Sequence, residues 1–154
     1  MPYYLGIDTS NYTTSLALCD AQGNIVAQQK KLLQVKPGSR GLRQSEAVFQ
    51  HLQNLPALSQ ALFADVPQAC NHLSAIGYSQ TPRPISGSYM PCFVPGETFS
   101  IFLCAYTNLP CYPFSHQEGH IMAALYSAHA MHLLNRTFLA FHISGGTTDL
   151  LVVQ

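Results

Sequence analysis

The sequence contains few charged side chains. Asp, Glu, Lys and Arg together make up 9% of the 154 residues, whereas about a quarter is usual in a soluble domain. Seven basic and seven acidic residues cancel to a formal charge of zero. No overall field is therefore available to draw the chain onto nucleic acid or an anionic membrane. A nucleic-acid contact would have to come from a local patch or from another polypeptide.

Paired cysteines, long apolar runs and two common nucleotide-binding motifs are also missing. Five cysteines form an odd set without a CxxC pair, which predicts neither a disulfide framework nor a zinc ribbon and favours a reduced, cytoplasmic setting. No apolar run approaches the roughly 18 residues of a membrane span, and the first residues do not resemble a signal peptide. We therefore expect a soluble chain that is not secreted. A P-loop and a GxGxxG motif are absent, so P-loop and Rossmann sites have no support.

Apolar periodicity predicts an α/β chain. Strands are predicted at 3–8, 14–19 and from Ile25 onward, joined by tight turns as an antiparallel meander. A helix from Ser45 is expected to kink or divide at Pro56. The remaining predicted elements are a strand at 73–78, a helix at 98–106, a strand at 111–114, a long helix at 115–134, and a hairpin of strands at 138–143 and 149–153.

The basic residues are concentrated between positions 30 and 43. Five of the seven lie there: Lys30, Lys31, Lys36, Arg40 and Arg43. A run of this kind around Pro37 and Gly38 is most often a solvated loop. If the chain binds tRNA, this segment is the predicted contact.

The two ends of the chain resemble each other. Residues 5–10 and 13–18 read as strand, small polar turn and strand, and residues 141–146 and 147–152 repeat that order. A duplicated α/β lobe that opens with a hairpin would restart in this way. We predict a first lobe over residues 1–137 and the start of a second over 138–154, with chance similarity of two hairpins as the alternative.

The motif HQEGH carries the sharpest chemical signal. His116 and His120 are four residues apart, which places them on one face of a helix and within reach of one divalent ion. Ser115 and Glu118 fit a capping box, so His116 falls in the first turn, where the helix dipole favours a neutral ring. Two ligands do not complete a site. Asp8, Asp149 or a segment outside the sequence could supply a third, and two surface histidines at a helix start are the plain alternative.

Two polar turns follow predicted strands and suit a nucleotide. Their residues are Asp8, Thr9 and Ser10 in the first turn, and Ser144, Gly145, Gly146 and Thr147 in the second. Paired glycines let the backbone approach a phosphate, hydroxyls supply hydrogen bonds, and a carboxylate can hold a Mg²⁺-bound water. Either turn alone is typical of an ordinary hairpin. Together, at both ends of a possible duplication, they indicate a nucleotide held between two lobes.

Four segments together resemble the glycoprotease family. They are residues 6–10 (GIDTS), 75–78 (AIGY), 110–120 ending in HQEGH, and 144–148 (SGGTT). This family was once described as O-sialoglycoprotein endopeptidases and is now understood as tRNA threonylcarbamoyladenosine synthases. The resemblance runs along the whole chain and covers the N-terminal half of the family's length.

The resemblance implies an actin-like ATPase lobe, with a mixed β-sheet and flanking helices, and with ATP or an adenylate and Mg²⁺ as the bound nucleotide. The family transfers a threonylcarbamoyl group from its adenylate to the adenosine next to the tRNA anticodon. Both histidines of its HxxxH motif bind iron or zinc, which would apply here to His116 and His120. Its third metal ligand is an aspartate far into the second half. Its strand and turn ending in SGG contact substrate, which would apply here to His142, Ile143, Ser144, Gly145 and Gly146.

Several departures from the family pattern indicate a divergent paralogue. The usual Cys-Asp-Glu-Thr, Gly-Pro-Gly and SGGHTQ segments are here residues 11–14 (NYTT), 81–84 (TPRP) and 144–149 (SGGTTD). The first function predicted is a metal-dependent transferase lobe, which as a fragment would be inactive alone. The alternative is an inactive scaffold or partner subunit, and a metalloprotease ranks last. We expect self-association, because an isolated lobe exposes the apolar surface that normally meets its partner.

Overall fold

The computed structural model describes residues 1–143 and 148–154. Within it, the chain forms two compact units, residues 1–116 and 117–154. Each unit is considered by itself below. The predicted lobe boundary between residues 137 and 138 stays a prediction.

A five-stranded sheet forms the centre of the first unit. Its strands are β1 (Tyr3–Asp8), β2 (Thr13–Asp20), β3 (Ile25–Leu32), β4 (Leu73–Thr81) and β5 (Cys111–Ser115). They lie side by side in the order β3-β2-β1-β4-β5. The first three strands are antiparallel, as predicted, whereas β4 and β5 run parallel to β1. The predicted mixed sheet is confirmed.

Two helices cover one face of this sheet. Helix α1 (Gln44–Asp65) packs on β2 and β3, and α2 (Val94–Thr107) packs on β4. Short 3-10 helices span Pro67–Asn71 and Pro91–Phe93. The core combines alternate strand residues with the inner faces of both helices: Leu5, Ile7, Leu16, Leu18, Leu55, Leu58, Leu62, Ile76 and Cys104. Pro56 does not divide α1 in two, so that part of the prediction was wrong.

The second unit contains most of one helix and a hairpin. Helix α3 (His116–Ser127) begins at the last residue of the first unit, and a 3-10 helix follows at Met131–Asn135. Strands β6 (Phe138–Ile143) and β7 (Thr148–Val153) pair in antiparallel fashion, which confirms the predicted hairpin.

The predicted long helix over residues 115–134 was wrong because α3 ends at Ser127. His129 adopts the left-handed region, with φ of 53°. The amide of Ala130 then donates to the carbonyl of Leu125 at 2.8 Å, and that of His129 donates to Tyr126 at 3.1 Å. This pair of bonds is a Schellman motif, which closes the end of a helix. Apolar spacing does not reveal it, because the signal is usually a glycine.

Candidate functional site

Asp8 and His116 meet at the end of β1. Oδ2 of Asp8 lies 3.0 Å from Nδ1 of His116, although 108 positions separate the two residues. Oδ1 of the same carboxylate accepts the backbone N–H of Ser10 at 2.6 Å. The parallel pairing of β1, β4 and β5 explains the contact, since it brings the ends of β1 and β5 to the same edge of the sheet.

The carboxylate of Asp8 is held in its charged form. Burial acts to raise its pKa, but the hydrogen bonds with His116 and Ser10 outweigh burial and place the pKa below the ordinary value. The ring of Phe93 lies edge-on to that of His116, with centroids 6.2 Å apart. The imidazole therefore lies beside a carboxylate and a buried aromatic ring.

Thr9 holds the turn after β1 onto the rest of the unit. Its side chain is fully buried, and its hydroxyl donates to the carbonyl of Cys92 at 2.8 Å. The same oxygen accepts the N–H of Gly96 at 3.1 Å. A Cβ on Gly96 would come within 2.9 Å of this oxygen, so the close approach requires glycine. Nucleotide binding by Thr9 and Ser10 stays a prediction, and the contacts of Thr9 lie within the fold.

A buried polar cluster behind this turn was not foreseen from the sequence. Nδ1 of His51 lies 2.8 Å from the hydroxyl of Thr14, which also accepts a hydrogen bond from Asn54 at 3.2 Å. Within the described residues, Nε2 of His51 is buried without a hydrogen-bond partner. Burial lowers the pKa of His51, and the backbone of Asn11 and the charge of Asp8 offset this in part. No local pattern could have indicated the contact, because His51 and Thr14 are 37 positions apart.

The second unit brings three more polar side chains together. The rings of His120 and His142 lie with centroids 5.4 Å apart. Nδ1 of His142 is 3.8 Å from Oδ2 of Asp149, its cross-strand neighbour. His120 and His142 line a cavity of 510 Å³ between α3 and β6, which is otherwise largely apolar. Ile143 is exposed at the end of β6, and the predicted positions Ser144, Gly145, Gly146 and Thr147 lie outside the described residues.

The donor set at HQEGH suits a metal ion in part. His116 and His120 lie four residues apart on α3, and neutral imidazoles are good ligands for zinc and iron. Within residues 1–143 and 148–154, no group of three His, Cys, Asp or Glu side chains could hold a metal ion. Metal binding by His116 and His120 therefore stays a prediction.

The basic segment lies along one edge of the first unit. Lys30 and Lys31 are consecutive residues of β3 and point to opposite faces of the sheet. Lys36 lies 3.8 Å from the carboxylate of Glu46 and is well exposed. Arg40 and Arg43 are exposed in the loop before α1. None of the described helices is long and apolar enough to cross a membrane.

Comparison with known proteins supports the resemblance inferred from the motifs. The chain is 28% identical over 151 residues to a tRNA N6-adenosine threonylcarbamoyltransferase from Chromobacterium violaceum. The resemblance to the glycoprotease family is confirmed. The match covers 97% of this chain and 42% of that protein, so the chain spans about two fifths of its relative's length. No family model matches the chain.

Solved structures support the fold. YeaZ from Pseudomonas aeruginosa superposes with a TM-score of 0.56 at 15% identity, over 99% of this chain and 68% of that one. The ethanolamine utilization protein EutJ from Carboxydothermus hydrogenoformans superposes with a TM-score of 0.51 at 18% identity, over 100% of this chain and 48% of that one. These neighbours have the actin-like ATPase fold, which confirms the predicted fold class.

Proposed function

We propose that this chain is the N-terminal lobe of a metal-dependent, threonylcarbamoyl transferase-like protein that acts on the adenosine next to a tRNA anticodon. The observation that carries the proposal is the sequence similarity, which extends over 97% of the chain. In the reaction, the exocyclic amine of adenosine forms a bond to the carbamoyl carbon. The bond from that carbon to the bridging phosphate oxygen breaks, AMP leaves with that oxygen, and the amine loses a proton.

The chain's own residues have distinct roles in this proposal. His116 and His120 would hold iron or zinc, which supplies Lewis-acid polarisation of the carbamoyl oxygen when bound. The turn after β1 would face a nucleotide and Mg²⁺, with Asp8 carrying its negative charge. His142 and Ile143 would contact the substrate, and a cavity of 510 Å³ beside His142 is in the size range of small-molecule sites.

The exposed apolar face of the second unit supports the proposal that the chain has a partner. The hairpin of β6 and β7 exposes five large apolar side chains: Leu139, Phe141, Ile143, Leu150 and Val152. An exposed apolar face of this kind marks an interaction surface. We propose that a second lobe or a related subunit covers it, and that the chain otherwise self-associates. Replacing Phe141 and Ile143 with Ser should then shift sedimentation toward monomer, and an unchanged profile would contradict this.

The metal-binding step is tested by measuring bound iron and zinc after purification. The wild-type chain is compared with His116→Ala and His120→Ala, and with His72→Ala as a control at an exposed histidine. We expect wild type and the control to hold metal and both other variants to lose it. Equally little metal in all four would overturn the proposal.

An inactive scaffold is the second candidate function. It is favoured by the departures at residues 11–14, where both acids of the family pattern are absent, and by the loss of glycine at 81–84. Formation of threonylcarbamoyladenosine in cells depleted of their own synthase separates the two. Restoration by wild type together with a related subunit, but not by His116→Ala with the same subunit, supports the transferase. Metal binding without restoration, even beside a related subunit, supports the scaffold.

The proposed tRNA contact is the basic segment of residues 30–43. Because formal net charge is zero, loss of two cations there should weaken tRNA binding strongly and reduce its salt dependence. The test is fluorescence anisotropy with the double variant Lys31→Glu and Arg40→Glu. The control is Arg136→Glu, at an exposed site in the second unit, which is compared with the single variant Lys31→Glu because both change the charge by the same amount. An equal loss in the control would contradict the assignment.

A further inference from the structure

We infer that Asp8 is a positioning residue for His116, and that it orients the imidazole toward a metal ion without binding the ion itself. This rests on the proposed function, since it assigns a role within that metal centre. From the sequence alone, Asp8 is a candidate for the third ligand. The geometry points to a different use of its carboxylate.

Both oxygens of the Asp8 carboxylate are engaged within the fold. Oδ1 accepts the N–H of Ser10 at 2.6 Å, and Oδ2 lies 3.0 Å from Nδ1 of His116. The first bond closes the turn after β1, and the second joins that turn to the start of α3. Each oxygen therefore already makes one bond within the fold, and the bond to the imidazole uses Nδ1, the ring nitrogen that faces the turn. Carboxylates that instead bond the far nitrogen of a metal-binding histidine are a common supporting arrangement.

The bond selects one tautomer of His116. A carboxylate can only accept, so the shared proton belongs on Nδ1 of the ring. In a neutral imidazole, the lone pair is then on Nε2, on the side of the ring away from Asp8. Phe93, 1% exposed, lies edge-on to the same ring, with the two centroids 6.2 Å apart. The bond to Asp8 therefore fixes the orientation of the His116 ring and directs Nε2 away from the carboxylate.

The test measures Co²⁺ affinity of the full chain by competition with a chromophoric chelator. Wild type is compared with Asp8→Ala, Asp8→Asn, His116→Ala and the control Asp20→Asn. Asp20 also ends a strand and accepts turn amides, from Gln22 and Asn24, so its variant matches the loss of a turn carboxylate. We expect Asp8→Ala to weaken binding by about 10- to 100-fold. Asp8→Asn should lose less, because its amide oxygen can still accept from Nδ1, and Asp20→Asn should match wild type.

The outcomes separate this inference from the proposed function. Wild-type affinity in Asp8→Ala, beside loss in His116→Ala, would overturn the positioning role and leave the metal centre intact. An equal loss of affinity in both Asp8 variants, with an altered absorption spectrum of the Co²⁺ that still binds, would also overturn it, because that result indicates a direct ligand. Equal failure of wild type and His116→Ala to bind Co²⁺ would overturn the metal centre itself.

The contact between Asp8 and His116 can also be tested without metal, on the wild-type chain, so that the test does not depend on the folding of a variant. The ¹⁵N shifts of the His116 ring, recorded on the metal-free wild-type chain at neutral pH, report which nitrogen carries the proton. We expect the Nδ1–H tautomer, with a shift toward the other tautomer in Asp8→Asn. An Nε2–H tautomer in wild type would overturn the orientation assigned to His116.

Discussion

The two β-hairpins of the molecule have similar patterns of apolar residues but opposite exposure. In β1 and β2 the apolar side chains pack against α1 and α2, and Leu5 is 2% exposed. In the second hairpin the matching position, Phe141, is 72% exposed. Alternation determines which side chains share a face of a strand pair. Burial depends in addition on a covering element, which the first hairpin receives from helices distant in sequence.

The polar residues of the hairpins differ in the same way. Thr14 on β2 is fully buried and bonds His51 and Asn54, whereas Thr148, its counterpart in the second hairpin, is exposed. The first hairpin is therefore integrated with its unit by side-chain bonds as well as by apolar packing. Equivalent substitutions in the two hairpins should have unequal effects.

The largest difference is expected between Leu16→Ala and Leu150→Ala. Leu16 is 1% exposed, so its truncation leaves a cavity and should cost about 2 to 5 kcal/mol of the free energy of unfolding. Leu150 is 57% exposed, and its truncation should cost less than about 1 kcal/mol. Urea denaturation followed by circular dichroism measures both. Similar losses would show that the second hairpin is covered in solution, for example by self-association, and a dilution series would test this.

The next largest difference is expected between Thr14→Val and Thr148→Val. Removing the Thr14 hydroxyl leaves the ring of His51 and the amide of Asn54 without their buried partner, at a cost of about 1 to 3 kcal/mol. Thr148→Val removes an exposed hydroxyl and should change stability by less than about 0.5 kcal/mol. The same denaturation experiment applies. A neutral Thr14→Val would mean that the cluster contributes no net stability.

Acidification should act on the first hairpin through His51. Its pKa is lowered from 6.5 in the folded state, mainly by burial, so the unfolded chain takes up a proton first as pH falls. The contribution of neutral His51 to the free energy of unfolding is therefore present above pH 6.5 and is lost as the pH falls below it. The free energy of unfolding falls by at most about 1.4 kcal/mol per pH unit through this group. Asp8 contributes at lower pH, since its lowered pKa affects stability only below 3.8.

The variant His51→Gln isolates this effect. Glutamine retains an amide that can bond Thr14 but does not titrate. We expect the difference in unfolding free energy between wild type and the variant to shrink as pH falls from 6.5 toward 3.8. His72→Gln, at an exposed histidine, serves as the control and should follow wild type. Parallel pH profiles for wild type and His51→Gln would contradict a neutral buried ring.

The elements of the fold were largely predictable because their signals are local. Alternation located the strands, and apolar spacing located α1 and α2. The end of α3 was missed because its stop residue is His129 and the usual signal at that position is glycine. Pro56 does not divide α1, because tertiary packing of the helix's inner face, including Leu55 and Leu58, outweighs the loss of one backbone hydrogen bond.

The sequence predicted which residues belong to the candidate site but not which of them are in contact. Asp8 and His116 each stood out by type and position, yet the bond between them depends on strand order, which periodicity does not give. His51 carried no signal, because its partners Thr14 and Asn54 become meaningful only when α1 packs on β2. Sequence patterns identify side chains that are chemically suited to a site, whereas the order of strands in the sheet determines which of those side chains are in contact.

The smallest effect is expected at the ends of two helices, one in each unit. Asn108 after α2 and His129 after α3 both adopt left-handed backbone, with φ of 55° and 53°. Asparagine tolerates this region better than most residues, so Asn108→Gly should be close to neutral. His129→Gly should stabilise the end of α3 by about 0.5 kcal/mol, because glycine removes the steric cost of its Cβ. Hydrogen exchange at Ala130, whose amide bonds Leu125, measures this locally, and slower exchange is expected. Faster exchange in His129→Gly would show that the imidazole itself stabilises the helix end, so that the histidine was retained there for its side chain.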